Sequence, residues 1–194
     1  MKKIILASGS PRRKLLLQQI GVDFTSSPAN IEEDLPFSTT PAEWVQTIAV
    51  RKAREVARHL DQGVIIAADT MVVWEGTIMG KPAGREEANW MLGCLSGQRH
   101  QVITGLCVMD VEKNLPEVAA EHTAVFFRSL SAQEINGYLD YNEWGDKAGS
   151  YAIQGRGALL VDRIEGCYFN VVGLPLNRLH LMLRKQGVDL LGVN

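Results

Sequence analysis

The sequence predicts an α/β fold with a mixed β-sheet flanked by helices. Apolar runs of strand length alternate along the chain with segments in which apolar residues recur at helical spacing. Some successive strands are joined by links too short to contain a helix, and such links pair strands in the antiparallel sense. Neither an internal repeat nor a linker rich in Pro, Gly or Ser interrupts the chain, so residues 1–194 are predicted to form a single domain.

The composition limits the classes of function. The chain has 194 residues, of which 46% are hydrophobic, and this is enough for one ordinary globular core. With 20 basic and 22 acidic residues, its net charge of −2 gives no overall attraction to nucleic acid or to anionic lipid. No apolar run reaches the ~18 residues that a membrane span requires. Cys94, Cys107 and Cys167 are odd in number and lie in apolar patterns, so we expect reduced core cysteines in a soluble, cytoplasmic protein.

The first predicted elements are a strand over residues 3–7, a loop and a helix. Ser10 suits the N-cap of this helix, Pro11 its first position and Gly21 the position just after its end. The expected apolar face of the helix consists of Leu15, Leu16 and Ile20. A short extended segment, VDFTSS, and an acidic stretch, NIEEDLP, come next.

The middle of the chain predicts a long helix, a hairpin and a second helix. Thr40 and Glu43 have the spacing of a capping box, and apolar residues at helical spacing continue as far as Leu60. The run GVIIAADTMVVW predicts a buried strand, the dipeptide EG a tight turn, and TIMGKP the return strand. Residues 85–95 again have a helical pattern.

The last third of the chain predicts further strands and two helices. RHQVITGLCVMDV and AAEHTAVFFRSL are strand patterns separated by the polar link EKNLPE, and Ser131 with Glu134 opens a capped helix. The segment GDKAGSYAIQGRGALLV begins as a loop and becomes a strand, and IEGCYFNVVG is predicted to complete a hairpin. An amphipathic helix, LPLNRLHLMLRKQ, ends at Gly187, and its exposed apolar positions suit a homodimer interface.

The turn SGSPRRK, at residues 8–14, has the features of a phosphate site. Arg12, Arg13 and Lys14 fall in the first turn of a helix, where cations are unfavourable unless an anion compensates them. Backbone N–H groups at the helix start and two forked guanidinium groups together favour a multiply charged anion. The Walker A pattern is absent, so the site is not a P-loop. The alternative is that the cations only solvate an exposed helix face.

Asp69 is a carboxylate inside a run that is otherwise fit to be buried. Such a group needs a metal, a cationic partner or a position facing a cleft, and the alternative is a hydrogen-bonded core Asp. Lys81 follows the hairpin, and Glu32 and Glu33 follow the opening strand-helix-strand unit, although EED alone is more often a solvated acidic loop. These carboxylates and cations suggest a divalent ion that bridges phosphate oxygens, beside a base that activates water.

The segment DKAGSYAIQGRGA combines glycines with Gln154. Glycine permits close approach of the backbone to a ligand, and the Gln154 amide offers both a donor and an acceptor, as reading a base edge requires. The alternative is a flexible connection before the next strand. No histidine is assigned a catalytic role, since none pairs with another histidine or with a cysteine; the four are His59, His100, His122 and His180.

Seven segments, taken together, resemble the Maf family of nucleoside triphosphate pyrophosphatases. They span nearly the whole chain, and they are ASGSPRRKLL, EE at 32–33, AADT, GKP, LSGQRHQVITG, DKAGSYAIQGRGALLV and VVGLPL. The resemblance implies an elongated, two-lobed Maf/ITPase-like fold with a cleft. It also implies divalent-metal-dependent cleavage between the α and β phosphates of a nucleotide, which releases a nucleoside monophosphate and pyrophosphate.

The resemblance also implies roles for individual residues. Asp69 matches the proton acceptor, Glu33 and Lys81 join it as catalytic residues, and Glu33 with Asp69 would hold a Mg²⁺ or Mn²⁺ ion. The positions that match base specificity are Arg12, Thr70 and Gln154. The phosphate and metal site is completed by Ser8, Arg13 and Lys147.

The SPRR, ADT and IQG segments are most similar to the branch of the family that acts on dTTP and UTP. The chain departs from that branch at Ala152, where Gly is expected, and at Gly145, where Met is common before DKAG. Both departures adjoin the loop expected to read the base. The alternative function is a nucleotide-binding regulator of cell division that does not hydrolyse its ligand.

Overall fold

The computed structural model describes residues 2–33 and 39–192. The described residues form strands β1 (Ile4–Leu6), β2 (Phe24–Ser26), β3 (Val64–Trp74), β4 (Thr77–Met79), β5 (Arg99–Asp110), β6 (Leu115–Phe127) and β7 (Val161–Glu165). They form helices α1 (Pro11–Gln19), α2 (Pro41–Ala57), α3 (Arg85–Leu95), α4 (Ala132–Leu139), α5 (Tyr168–Val172) and α6 (Leu176–Lys185). Within these ranges, no helix is both long enough and apolar enough to cross a membrane.

The strands form one seven-stranded mixed sheet, which confirms the predicted α/β class. Its order is β2-β1-β3-β5-β6-β7, and β4 pairs with β3 outside this path. β1 runs parallel to both β2 and β3, with Leu6 opposite Ser26 on one side and Ile66 on the other. β4 and β7 pair in the antiparallel sense with β3 and β6.

The chain divides into two compact units. The first consists of the residues up to Asp69, residues 104–121 and the residues from Gly173 onward. In its core, buried alanines of α2 pack on β1, β3 and β5; the core contains Ile5, Ala7, Ala49, Ala53, Val56, Ile65, Ala67, Cys107 and Met109. These small helical side chains allow α2 to lie close to the sheet, because little volume separates the two backbones.

The second unit consists of residues 70–103 and 122–172. Apolar side chains of α3 and α4 form its core together with the strands; they include Met91, Leu92, Leu95, Val102, Val125, Phe127, Ile135 and Leu139. The prediction of a single domain over residues 1–194 stays a prediction.

Most predicted helix boundaries are confirmed. Both predicted capping boxes form, at Thr40 with Glu43 and at Ser131 with Glu134. α1 begins at Pro11 as expected, but the side chain of Ser10 makes no capping hydrogen bond. Ser10 instead donates its backbone N–H to the hydroxyl of Ser8.

The predicted apolar face of α1 is wrong in part. The helix buries Leu16 and Leu17, whereas Leu15 is 60% exposed and Ile20 is 38% exposed. Three consecutive leucines fit several helical faces equally well, so the packing of α1 on the rest of the unit decides which two are buried.

The predicted hairpin at IEGCYFNVVG is also wrong, because Tyr168–Val172 is helix α5. The buried Asn170 amide donates to the carbonyl of Val102 and to the hydroxyl of Thr123, so tertiary hydrogen bonds hold a segment with high strand propensity in a helix. Two smaller boundaries differ as well. Gly155–Leu160 is a 3₁₀ helix, so β7 begins at Val161, and β6 begins at Leu115 inside the expected polar link.

Candidate active site

The basic turn lies at the carboxyl ends of parallel strands in the first unit. β1 ends opposite Ile66 of β3, and the backbone N–H of Ala7 donates to the carbonyl of Ile66 at 2.8 Å. The following turn leads directly into α1, so the N-terminus of α1 lies at the same edge of the sheet. In open α/β sheets this edge is where ligands bind.

Ser8 and Arg13 form a connected pair within this turn. Ser8 is only 7% exposed, and its hydroxyl accepts hydrogen bonds from the backbone N–H of Ser10 and from Nη1 of Arg13, both at 3.2 Å. Nε of Arg13 donates to the carbonyl of Gly173 at 2.8 Å. The guanidinium plane is therefore fixed by two partners and is not a freely solvated surface group.

The electrostatic surroundings of Arg13 contain charges of both signs. Burial lowers the pKa of the Arg13 guanidinium from its ordinary value, Asp69 and Glu33 raise that pKa, and Arg12 lowers it. Because an arginine pKa starts so high, the group stays charged at pH 7. Three other residues of the predicted site, Asp69, Arg12 and Glu33, thus lie within electrostatic reach of Arg13.

Asp69 and Glu33 converge on a lysine. β3 continues three residues beyond Ile66 to Asp69, whose Oδ1 lies 2.8 Å from Nζ of Lys52 on α2. Oε1 of Glu33 lies 2.7 Å from the same ammonium group. The side chains of Lys52 and Asp69 are 13% and 15% exposed, and that of Glu33 is 52% exposed, so solvent reaches the cluster from the Glu33 side. Asp69 thus has the cationic partner that a half-buried carboxylate requires, and its side chain remains partly accessible.

Sequence reasoning missed Lys52, although a signal for it exists. The buried residues of α2 are Val45, Ile48, Ala49, Ala53 and Val56. Position 52 falls on this same stripe, seven residues after Val45 and four before Val56. A cation on the buried face of a helix needs an anion from another element, and this requirement predicts a buried or half-buried carboxylate nearby.

Glu33 and Asp69 fit a divalent cation whose other ligands come from substrate phosphates. Among the described residues there is no group of three or more His, Cys, Asp or Glu side chains that could hold a metal alone. Glu33 and Asp69 nevertheless face one point, since both contact the Lys52 ammonium. Mg²⁺ binds through one or two carboxylates together with substrate phosphates, and two hard oxygen ligands match this mode.

The second unit contains the other predicted site residues. The backbone N–H of Gly149 donates to the carbonyl of Gly80 at 3.1 Å, so the segments that carry Lys81 and Lys147 lie side by side. Lys81 is exposed, whereas the Lys147 side chain is 15% exposed and pairs with Asp146. Thr70 and Gln154 are both half-buried.

Comparison with known proteins first defines the fold. The structure of the Staphylococcus aureus Ham1 protein superposes with a TM-score of 0.54 and covers 95% of this chain and 100% of its own, at 15% sequence identity. At that identity the likeness concerns the fold alone. The family described as Maf-like protein matches residues 3–186, and the chain belongs to this family.

Close relatives are similar along their full lengths. A protein of Pelotomaculum thermopropionicum named dTTP/UTP pyrophosphatase is 50% identical over 191 residues, with 98% of this chain and 100% of the relative covered. Proteins of the same name from Syntrophomonas wolfei and Moorella thermoacetica are each 46% identical, covering 96% and 99% of this chain and 98% and 99% of their own lengths. The resemblance stated from the seven motifs is confirmed.

Proposed function

We propose that this protein is a nucleoside triphosphate pyrophosphatase that hydrolyses dTTP and UTP to the nucleoside monophosphate and pyrophosphate. The observation that carries the proposal is the cluster in the first unit, where Asp69 and Glu33 meet Lys52 beside the Ser8–Arg13 turn. This combination offers groups for binding polyphosphate and a carboxylate for activating water. The names and the nearly full-length similarity of the relatives support the same activity.

The proposed reaction is an in-line substitution at the α-phosphorus. Asp69 accepts a proton from a water molecule as the water oxygen forms its bond to the α-phosphorus. The bond from the α-phosphorus to the bridging oxygen breaks, and pyrophosphate leaves with that electron pair. Arg12 and Arg13 bind the phosphates, and Ser8 keeps the guanidinium of Arg13 in place.

We propose that Glu33 and Asp69 hold a Mg²⁺ or Mn²⁺ ion together with the substrate phosphates. When bound, such an ion neutralises charge on the phosphate oxygens. Lys52 holds the two carboxylates together, and its ammonium lies close enough to both to offset their mutual repulsion. In the second unit, Lys81 and Lys147 are proposed to bind phosphate. The residues proposed to discriminate the base are Thr70 and Gln154 of the second unit and Arg12 of the first unit.

The central test replaces Asp69 with Asn. Asp69→Asn keeps nearly the same shape but removes the proton acceptor and one ligand charge, so we expect pyrophosphate release from dTTP and UTP to fall at least about 100-fold. Asp162→Asn is the matched control, because Asp162 is exposed and pairs only with its neighbour Arg163 among the contacts described. Wild-type turnover by Asp69→Asn would reject the assignment. Binding of triphosphate by the wild type without any pyrophosphate release would instead favour the non-hydrolysing regulator.

We further propose that the protein forms a homodimer through the surface of α6. Leu181 is 44% exposed there and lines a groove with Val118, which is 37% exposed. The charged side chains around the groove pair within the chain, Arg178 with Glu121 and Lys185 with Glu117, so a second copy packed there would meet no unpaired charge of these four. We expect Leu181→Glu to convert a dimer into a monomer in sedimentation velocity, and a wild-type monomer would refute the proposal.

We also propose a cytoplasmic location. The three free cysteines support it, because free thiols are typical of a reducing compartment.

A further inference from the structure

The loop that carries Gln154 is attached at both of its ends. Before the loop, Tyr151 is 5% exposed, and its hydroxyl lies 2.7 Å from Nε2 of His100. After Gln154, the backbone N–H of Arg156 donates to Oε2 of Glu143 at 3.1 Å. Gln154 therefore lies between two fixed segments of the second unit, although its own side chain is half-buried and accessible.

The attachment at Tyr151 is a packed aromatic cluster. The rings of His100, Phe127 and Tyr151 meet edge to face, with centroid separations of 5.0, 5.4 and 4.8 Å. Burial lowers the pKa of His100 to about 4, so the imidazole is neutral at pH 7 and shares a neutral hydrogen bond with the hydroxyl. The next residue, Ala152, donates its backbone N–H to the hydroxyl of Tyr138 at 3.4 Å. This end of the loop thus rests on buried groups with few alternative positions.

The other end of the loop depends on polar contacts with the segment after α4. The guanidinium of Arg156 lies over the ring of Tyr141, 3.3 Å from its centroid, while Glu143 accepts the backbone N–H of Arg156. The two ends of the loop lie against each other, because a Cβ added to Gly157 would lie 1.9 Å from the carbonyl oxygen of Ala152. A shift of the Arg156 backbone would consequently move the whole turn.

We propose that Glu143 is a positioning residue for base selectivity. Glu143 holds the Arg156 backbone at one end of the loop, and the His100–Tyr151 pair holds the other end. Together they set the direction in which the Gln154 amide presents its donor and its acceptor. The inference rests on the proposed function, in which Gln154 contacts the base. An amide discriminates between bases only when its orientation is fixed, since a mobile amide can satisfy either a donor or an acceptor.

The test compares two substitutions of one residue. Glu143→Ala removes the acceptor of the Arg156 N–H, whereas Glu143→Gln retains an oxygen acceptor on a side chain of the same length. Glu86→Ala is the control, because Glu86 is an exposed glutamate on α3 of the same unit. For each variant we would measure kcat and KM with UTP, dTTP and GTP, together with the thermal midpoint.

The expected result separates binding from chemistry. Because base contacts act on ground state and transition state alike, Glu143→Ala should raise KM for UTP about fivefold while kcat changes less than twofold. The ratio of kcat/KM for UTP to that for GTP should fall by a similar factor. Glu143→Gln and Glu86→Ala should both stay within about twofold of the wild type.

A second variant tests the opposite end without removing packing. Tyr151→Phe deletes only the hydroxyl and keeps the ring against Phe127, so it should lower the UTP to GTP selectivity in the same direction as Glu143→Ala. If the wild type prefers pyrimidines and neither Glu143→Ala nor Tyr151→Phe changes the selectivity, the positioning role is overturned and the proposed function stands. A wild type that releases no pyrophosphate from any triphosphate overturns the proposed function, and the inference falls with it.

Discussion

Lys52 has unusual surroundings for a lysine on a helix. It contacts two carboxylates, one from β3 and one from the segment after β2. We expect Lys52→Met to lower the free energy of unfolding by about 2 kcal/mol, because it leaves Asp69 and Glu33 close together without a cation. Mg²⁺ should raise the thermal midpoint of Lys52→Met more than that of the wild type, since the ion can then take the place of the ammonium.

The comparison for this prediction is Lys52→Arg, which keeps the charge. Lys52→Arg should show a smaller loss of stability and a Mg²⁺ response nearer to that of the wild type. An equal Mg²⁺ effect on the midpoints of wild type and Lys52→Met would contradict the view that the ion and the Lys52 ammonium compete for Glu33 and Asp69. No Mg²⁺ effect on either midpoint would contradict the view that the two carboxylates hold the ion without nucleotide. Differential scanning fluorimetry in the absence of nucleotide measures these shifts independently of catalysis.

His100 gives a prediction about pH. Its pKa is about 4 in the folded protein and near 6.5 when unfolded, so the unfolded chain binds more protons between these values. Stability is therefore fully present above pH 6.5 and falls as the pH decreases toward 4. Between pH 7 and pH 5, the unfolding free energy of the wild type should fall by about 2 kcal/mol more than that of His100→Gln. Parallel pH curves from urea titrations of the two proteins would refute this.

Predictability at the level of single residues has a physical limit. The basic turn and Asp69 stand out in the sequence because each breaks a local pattern, with cations at a helix start and a carboxylate in a strand. Lys52 occupies an ordinary helix position, and only its alignment with buried neighbours distinguishes it. The contact of His100 with Tyr151 cannot be predicted from spacing, because the two residues are 51 positions apart.

Among the elements, the contact of α2 with β5 is the most sensitive to substitution. A Cβ on Gly105 would lie 2.3 Å from the carbonyl carbon and oxygen of Val45, so the strand and the helix touch through their backbones. We expect Gly105→Ala to destabilise the protein by about 3 kcal/mol, since neither backbone can move aside without disturbing the core of the first unit. Chemical denaturation followed by circular dichroism measures this change.

Gly93 is the matched control, because it is a helical glycine with open space around it. Apart from its chain neighbours and the backbone of its own helix, no described atom lies within 4 Å of a Cβ added there, and Gly93 is exposed inside α3. Gly93→Ala should therefore stabilise the protein by about 0.5–1 kcal/mol through the better helix propensity of alanine. Equal effects at the two glycines would contradict the close approach of α2 to β5.

Elements with local signals were the ones predicted correctly. Capping boxes and Pro11 mark helix starts through contacts within four residues, and the predicted range of α3 agrees with the structure. The hairpin prediction for the segment of α5 is wrong because Asn170 is held by Val102 and Thr123, which are remote in sequence. The predicted apolar face of α1 is wrong in part for a different reason, because its three consecutive leucines are locally equivalent and packing decides which two are buried.

For the whole molecule, the charge balance predicts weak interaction with nucleic acid. A net charge of −2 gives no overall attraction to a phosphate backbone, and the basic turn is short. We expect negligible retention on an oligonucleotide column at low salt, whereas a protein with an extended basic surface would be retained and eluted by salt. Retention at 50 mM salt that disappears at 200 mM would contradict this expectation.

The meeting of Asp69 with the basic turn follows from topology, which composition alone does not supply. Parallel pairing of β1 with β3 places the two segments at one edge of the sheet, and this pairing involves strands about 60 residues apart. The position of Glu33 depends in the same way on β2. At the level of sequence, the charges of Asp69, Lys81 and Glu33 suggest a shared site, and the resemblance to a family adds a role for each residue.

The hydrogen bond from Arg13 to the carbonyl of Gly173 has a consequence for biosynthesis. It joins residues separated by 160 positions, both of which belong to the first unit. A ribosome must therefore add Gly173, 160 residues after Arg13, before Arg13 can acquire its acceptor. Nascent chains that terminate prematurely before this point will carry the arginine-rich turn without the support that orients it.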